Sequence, residues 1–181
     1  MVAGLIQSQD KFFLSTLDEA GNPTVSHKGG AQGFVRVLNP NTLSFPNYDG
    51  NGMFLSMGNI AGQARLGMLF IDFEAPHRVR LQGTARLLRE GPLFESYPGA
   101  DLVVEVQVAQ TWVNCPRYVH RYQSVEKSPH VPDSEGNASF AVWKRIDALQ
   151  DVLSSEDRQK AEAAGLIKME DYQHRVESGN A

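Results

Sequence analysis

The sequence predicts a mainly β chain, an antiparallel barrel or sandwich followed by helices, on three observations. Residues 11 to 113 divide into short extended runs separated by turn residues. In one of these runs Val79, Leu81, Gly83, Ala85 and Leu87 alternate with Arg78, Arg80, Gln82, Thr84 and Arg86, the period-two pattern of a strand with one apolar face. From Val142 onward the apolar spacing changes to three and four through Trp143, Ile146, Leu149 and Leu153, which is a helical period.

In chain order, Lys11 to Leu17 is the first predicted strand. The turn Asp18 to Asn22 supplies residues that tolerate positive φ, so Thr24 to Lys28 pairs back as a hairpin. Gly33 to Leu38 follows, and Asn39, Pro40 and Asn41 turn the chain into Thr42 to Phe45. Between Gly52 and Gln63, Met53, Phe54, Met57 and Ile60 share one helical face. Arg65 to Phe73 returns to strand, Glu74 to His77 turns it into the alternating run, and Leu102 to Val113 follows the loop Gly91 to Gly99. Residues 124 to 138 are polar, carry two prolines and show no period, which predicts a linker or surface loop. Ser154 or Ser155 caps a further helix that Gly165 ends, and Met169 to Val176 forms a last one. The expected division is a domain over 1–123, a linker over 124–140 and a helical extension over 141–181.

A chain of 181 residues buries roughly 70% of its unfolded surface and folds without staples. Its net charge of −4 and the lack of a basic tract argue against nucleic-acid binding, which rests on clustered Lys and Arg. The single cysteine, Cys115, cannot form an internal disulfide, as suits a reducing cytoplasm. The N-terminus has no basic start followed by a sustained apolar segment, and no apolar run approaches the roughly 20 residues a bilayer span needs. The expectation is a cytoplasmic protein with no signal peptide and no membrane partner. The five histidines are scattered, and no metal site is predicted.

The segment from Pro23 to Asn59 is the richest in chemistry. One extended run ends in Ser26, His27 and Lys28 beside Gly29 and Gly30. A second ends at Phe45, Pro46 and Asn47 and leads through Asp49, Gly50 and Asn51 to a helix holding Ser56 and Asn59. Backbone amides free to approach closely, hydroxyl and amide donors, and a cation are what a planar heterocycle carrying a phosphate requires. In this order, followed by the strand around Leu66 to Phe70 and by Asn114, Cys115, Pro116, Arg117 and Tyr118, these pieces resemble the pyridoxamine 5′-phosphate oxidase-like split-barrel flavoproteins, in their flavin-nucleotide-binding branch.

That resemblance, over about residues 8 to 122, implies a six-stranded antiparallel split β-barrel of the FMN-binding type, here with a C-terminal helical extension. It implies a homodimer with FMN at the subunit interface and oxidoreductase chemistry on a small-molecule substrate or electron donor. It places Val25, Ser26, His27 and Lys28 at the isoalloxazine edge and Phe45, Pro46 and Asn47 along the neighbouring wall. Asn51, Ser56 and Asn59 come near the ribityl phosphate, and Trp112, Asn114 and Arg117 arrive from near or across the interface. No catalytic side chain is assigned.

The chain departs from the family pattern at the phosphate clamp, where Asn51 and Gly52 stand in place of an Arg-Lys pair. Charge-assisted contacts are roughly twice as strong as neutral ones, so Lys28, Arg65 or Arg117 has to compensate if FMN is held tightly. Three other readings remain open: a flavin-binding or sensor protein without turnover, a haem-binding protein using Cys115 as thiolate ligand, and a reductase using a deazaflavin. The helical extension reads either as packing on the barrel or as a lid.

Overall fold

A computed structural model describes residues 2–50 and 54–179. Residue contacts divide the chain into two compact units, Met1–Asn137 and Ala138–Ala181. Unit one is built on a single antiparallel sheet of seven strands among the described residues, not six. They are β1 Lys11–Leu17, β2 Pro23–Gly29, β3 Arg36–Asn39, β4 Thr42–Tyr48, β5 Arg65–Asp72, β6 His77–Leu88 and β7 Ala100–Asn114, in spatial order β2-β1-β5-β6-β7-β4-β3. Each extended run read from the sequence is one of these strands, so the residue pattern gives the number that the resemblance missed. Strand β3 is shorter than expected and β4 longer, because pairing with β7 continues from Thr42 to Tyr48 whereas pairing with β3 stops at Ser44. Pro46, which has no N–H to donate, lies in the part of β4 beyond the reach of β3.

The sheet curls, and ring distances show it. Three strands lie between β1 and β4, so a flat sheet would hold them about 19 Å apart at about 4.8 Å per strand. Yet the rings of Phe12 on β1 and Phe45 on β4 have centroids 4.9 Å apart in an edge-to-face arrangement. Phe70 on β5 and Phe34, just before β3, complete the cluster at 5.3 and 5.8 Å from Phe12. Phe12, Phe45 and Phe70 are all fully buried, each contributing about 1.5–3 kcal/mol of burial.

Strand β6 alternates as its sequence predicts: Val79, Leu81 and Gly83 are buried, and Arg80, Gln82 and Thr84 are exposed. Its register with β7 shifts between Gln82 and Gly83, where a Cβ would run into the Gln107 carbonyl. Only glycine lets the two backbones come this close.

Helix α1, Val2–Ser8, was not anticipated by the sequence reading; it buries Ile6 in the core. Helix α2, Leu55–Gln63, follows β4 and buries Ser56, Met57 and Ile60. The helix expected from Gly52 has its beginning at residues 51–53, outside the described residues. A short helix α3, Pro92–Glu95, occupies the predicted loop before β7.

Unit two begins with 3₁₀ segments, Val142–Arg145 and Asp147–Val152, in place of the α-helix that the spacing of Trp143, Ile146, Leu149 and Leu153 predicts. Ile146 lies between them in extended conformation and bridges Ile167, which interrupts the helical ladder. Helix α4, Ser155–Ala164, is capped by Ser154, whose hydroxyl accepts from the Asp157 amide. Its anchor is Lys144, only 4% exposed, whose ammonium donates to Asp157 at 2.9 Å. Helix α5 covers Met169–Glu177. Among the described residues no helix is long and apolar enough to cross a membrane.

Candidate functional site

Which way β2 faces determines the site. Residues directly opposite on paired strands point to the same side of a sheet. Thr24, Ser26 and Lys28 pair with Thr16, Leu14 and Phe12, all buried on the inner face. Val25 and His27 pair with Ser15 and Phe13 and face outward: Val25 is 69% exposed, and the His27 ring lies 5.9 Å from that of Phe13. The strand therefore turns a polar row inward and its valine outward.

Helix α2 lies over this inner row, held by side-chain hydrogen bonds. The Asn59 amide donates to the hydroxyls of Thr16 and Thr24 at 3.0 and 3.2 Å, and the hydroxyls of Ser26 and Ser56 are 2.8 Å apart. Gln63 reaches the Asp18 carbonyl at the far end of the same hairpin. The next residue of the row, Lys28, has no such partner among the described residues and reaches a cleft instead.

The cleft, of about 280 Å³, lies between the end of β2, the end of β4 and the first turn of α2. Ser26, His27 and Lys28 line it from β2, Asn47, Tyr48 and Gly50 from β4 and the residues after it, and Phe54 to Met57 from the helix. None of these is acidic. Among the described residues no side chain caps the first turn of α2, so its amides keep their donor capacity beside the cleft. Burial lowers the pKa of Lys28 below the ordinary lysine range, as expected of an amine set among apolar neighbours. Burial likewise raises Tyr48, against a smaller opposing pull from the charge of Arg36, so its hydroxyl remains a donor at neutral pH.

Of the residues predicted to hold a cofactor, the structure brings Ser26, His27, Lys28, Asn47 and Ser56 to one cleft. His27 lines it although its ring meets that of Phe13 edge-to-face on the outer face, so the side chains from β2 that serve the cleft are Ser26 and Lys28. Val25 faces outward, and Phe45 belongs to the aromatic core, not to the wall. Pro46 is not among the lining residues, and Asn59 is spent on the two threonines. Asn51 lies outside the described residues.

Trp112, Asn114 and Arg117 sit at or just beyond the end of β7, opposite Arg80 and Arg78, and do not line the cleft of their own chain. Of the three cations available to replace the missing phosphate clamp, Lys28 lines the cleft, and Arg65 and Arg117 do not. Sequence reasoning assigned no site role to Tyr48, Gly50, Phe54, Leu55 or Met57. Phe54 was read as sharing a helical face with Met57 and Ile60; those two are buried, whereas Phe54, with a left-handed backbone at φ 49° just before the first turn, is 47% exposed.

Cys115 is exposed. Its carbonyl accepts from Arg78 at 2.6 Å, and its sulfur lies 3.5 Å from the Arg117 amide. Among the described residues no three His, Cys, Asp or Glu side chains are grouped to hold a metal.

A curled antiparallel sheet with a helix after its fourth strand, and a cleft reached by one lysine at that helix's first turn, defines a mainly β architecture. The chain belongs to the pyridoxamine 5′-phosphate oxidase family, whose model matches residues 2–144. No curated protein matches it. Among solved structures it is similar to HupZ of Group A Streptococcus, at 19% identity and a TM-score of 0.51, over 67% of this chain and 95% of that one. An FMN-binding protein from Syntrophomonas wolfei is similar at 10% identity and a TM-score of 0.46, over 61% and 82% of the two chains. HutZ, the heme storage protein from Vibrio cholerae, is similar at 16% identity and a TM-score of 0.46, over 62% and 91%.

Proposed function

We propose that the chain binds FMN in this cleft and works as a flavin-dependent oxidoreductase on a small molecule, as a homodimer with its cofactor at the subunit interface. The observation that supports this reading is the cleft whose described lining residues include Lys28 and no acidic side chain, beside the first turn of α2. A phosphate placed there gains a charge-assisted contact and several amide donors. FMN, when bound, supplies the hydride chemistry.

The residues of the chain bind and orient. Tyr48 and Asn47 offer donors from one wall, Phe54 offers an accessible ring, and the Ser26–Ser56 pair keeps β2 and α2 at a fixed separation. Under this reading Trp112, Asn114 and Arg117 reach the flavin only from a second copy. The outer face of the sheet offers that copy an apolar surface, with Val25 exposed and Phe13 and Leu69 half-buried.

The test is to mix the purified chain with FMN, remove the excess by gel filtration and record the absorbance. A retained flavin band near about 450 nm at close to one equivalent per chain is the expected result. Elution without flavin overturns the reading.

A further inference from the structure

The chain has six lysines, and their surroundings differ. Lys11 pairs with Asp10, Lys144 with Asp157, Lys160 with Glu156 and Lys168 with Asp147. A carboxylate at hydrogen-bond distance favours the ammonium form, which has no lone pair to give. Among the described residues Lys127 has no partner, and it is exposed to water on the loop after unit one's last strand. Among the same residues Lys28 alone combines the absence of a carboxylate, a position on the inner face of β2 opposite Phe12, and an opening into a cleft. An amine desolvated in this way is the form in which lysine acts as a nucleophile.

We propose that Lys28 captures small aldehydes that carry an anionic group, condensing with them to a reversible imine in this cleft. The Nζ lone pair attacks the carbonyl carbon, a C–N bond forms as the C=O π bond opens, and one Nζ proton passes to the oxygen. The C–O bond then breaks, water leaves, and nitrogen gives up its remaining proton to solvent, so that aldehyde plus amine become imine plus water. Tyr48, held as the phenol by burial, is a lining residue that can hand a proton to the departing oxygen. The anionic end of the aldehyde is matched by the uncapped first turn of α2, where Ser56 and Met57 line the same cleft. The aldehyde takes the seat given above to the flavin phosphate, so the two ligands compete for one cleft; the inference goes beyond the flavin reading and shares with it only the anion seat at α2.

The experiment uses the full chain with glyoxylate as anionic aldehyde and propanal as neutral control, each with cyanoborohydride to reduce the imine to a stable secondary amine. Proteolysis and mass spectrometry give the modified fraction at every lysine. Lys127, unpaired and solvated, is the internal reference for an ordinary amine. At neutral pH, Lys28 should react several-fold faster than Lys127, because burial leaves more of its amine in the form that carries a lone pair, and should prefer glyoxylate over propanal where Lys127 does not. A Lys28 rate equal to or below that of Lys127 overturns the proposal, and equal rates with the two aldehydes overturn the anion seat. FMN titrated into the same reaction separates the two readings. If flavin is retained and protects Lys28, both stand on one site. Labelling of Lys28 without flavin retention removes the flavin reading alone, and flavin retention without selective labelling removes this one alone. The Lys28→Arg variant, which keeps the charge and cannot condense, should lose the fast-reacting equivalent in intact-mass spectra.

Discussion

The hydroxyls of Ser26 and Ser56 lie 2.8 Å apart and join the inner row of β2 to the first turn of α2. Ser56 is buried, so its hydroxyl depends on this partner. Ser26→Ala is expected to cost about 1 kcal/mol by leaving a buried donor unmatched. The double variant with Ser56→Ala should cost less than the sum of the single ones. Urea denaturation of the four proteins measures this, and simple additivity would show that the bond does not hold the two elements together.

Lys28→Ala should weaken FMN binding about tenfold, the share of one charge-assisted contact. Lys28→Arg should recover part of the loss. Flavin fluorescence titration reads both, and unchanged affinity in the alanine variant would remove Lys28 from the phosphate site.

The same lysine sets a pH dependence. Its folded pKa is depressed by burial, so the stability it contributes is fully present above the ordinary lysine value and is lost as pH falls through the folded value. Below the ordinary lysine value the folded state bears a cost for this buried amine. Lys28→Met is therefore expected to raise the denaturation midpoint at pH 7 and to change it less at pH 10.5, near the ordinary value. A midpoint gain of equal size at both would assign the effect to packing and not to charge.

Gly83→Ala should destabilise the sheet by about 1–3 kcal/mol, because the added methyl group meets the Gln107 backbone carbonyl at the register shift between β6 and β7. Thermal unfolding tests this. A neutral result would mean that the two strands can part there at little cost.

The chain should elute as a dimer, with twice the mass of one chain by light scattering. A monomer that retains a full equivalent of flavin would contradict an interfacial site.

Strand pattern was legible wherever one face is buried and the other wet, as in β6, where every second residue from Val79 to Gly83 goes inside. Strand β2 was legible as a strand, but the way it faces was not. Its polar residues Thr24 and Ser26 face inward because Asn59 and Ser56 satisfy them there, and Val25 faces outward. The rule that apolar side chains go inside cannot see partners contributed from about thirty residues away, although hydrogen bonds between elements make such burial inexpensive. The resemblance placed Phe45 along the wall beside the flavin, yet the curl of the sheet draws it against Phe12. The 3₁₀ segments after Ala141 likewise escape a periodicity reading, since the bridge from Ile146 to Ile167 is a tertiary contact.

β2 ends the sheet, with no further strand beside it among the described residues. Such a margin is a template on which a foreign chain can add itself and start an aggregate, and proteins guard it with proline and with charge turned inward. Pro23 and Lys28 stand near the two ends of this strand. The lysine that serves the cleft is thus also a gatekeeper of solubility, and engineering the pocket toward apolar ligands by replacing Lys28 would expose the protein to fibre-like self-association.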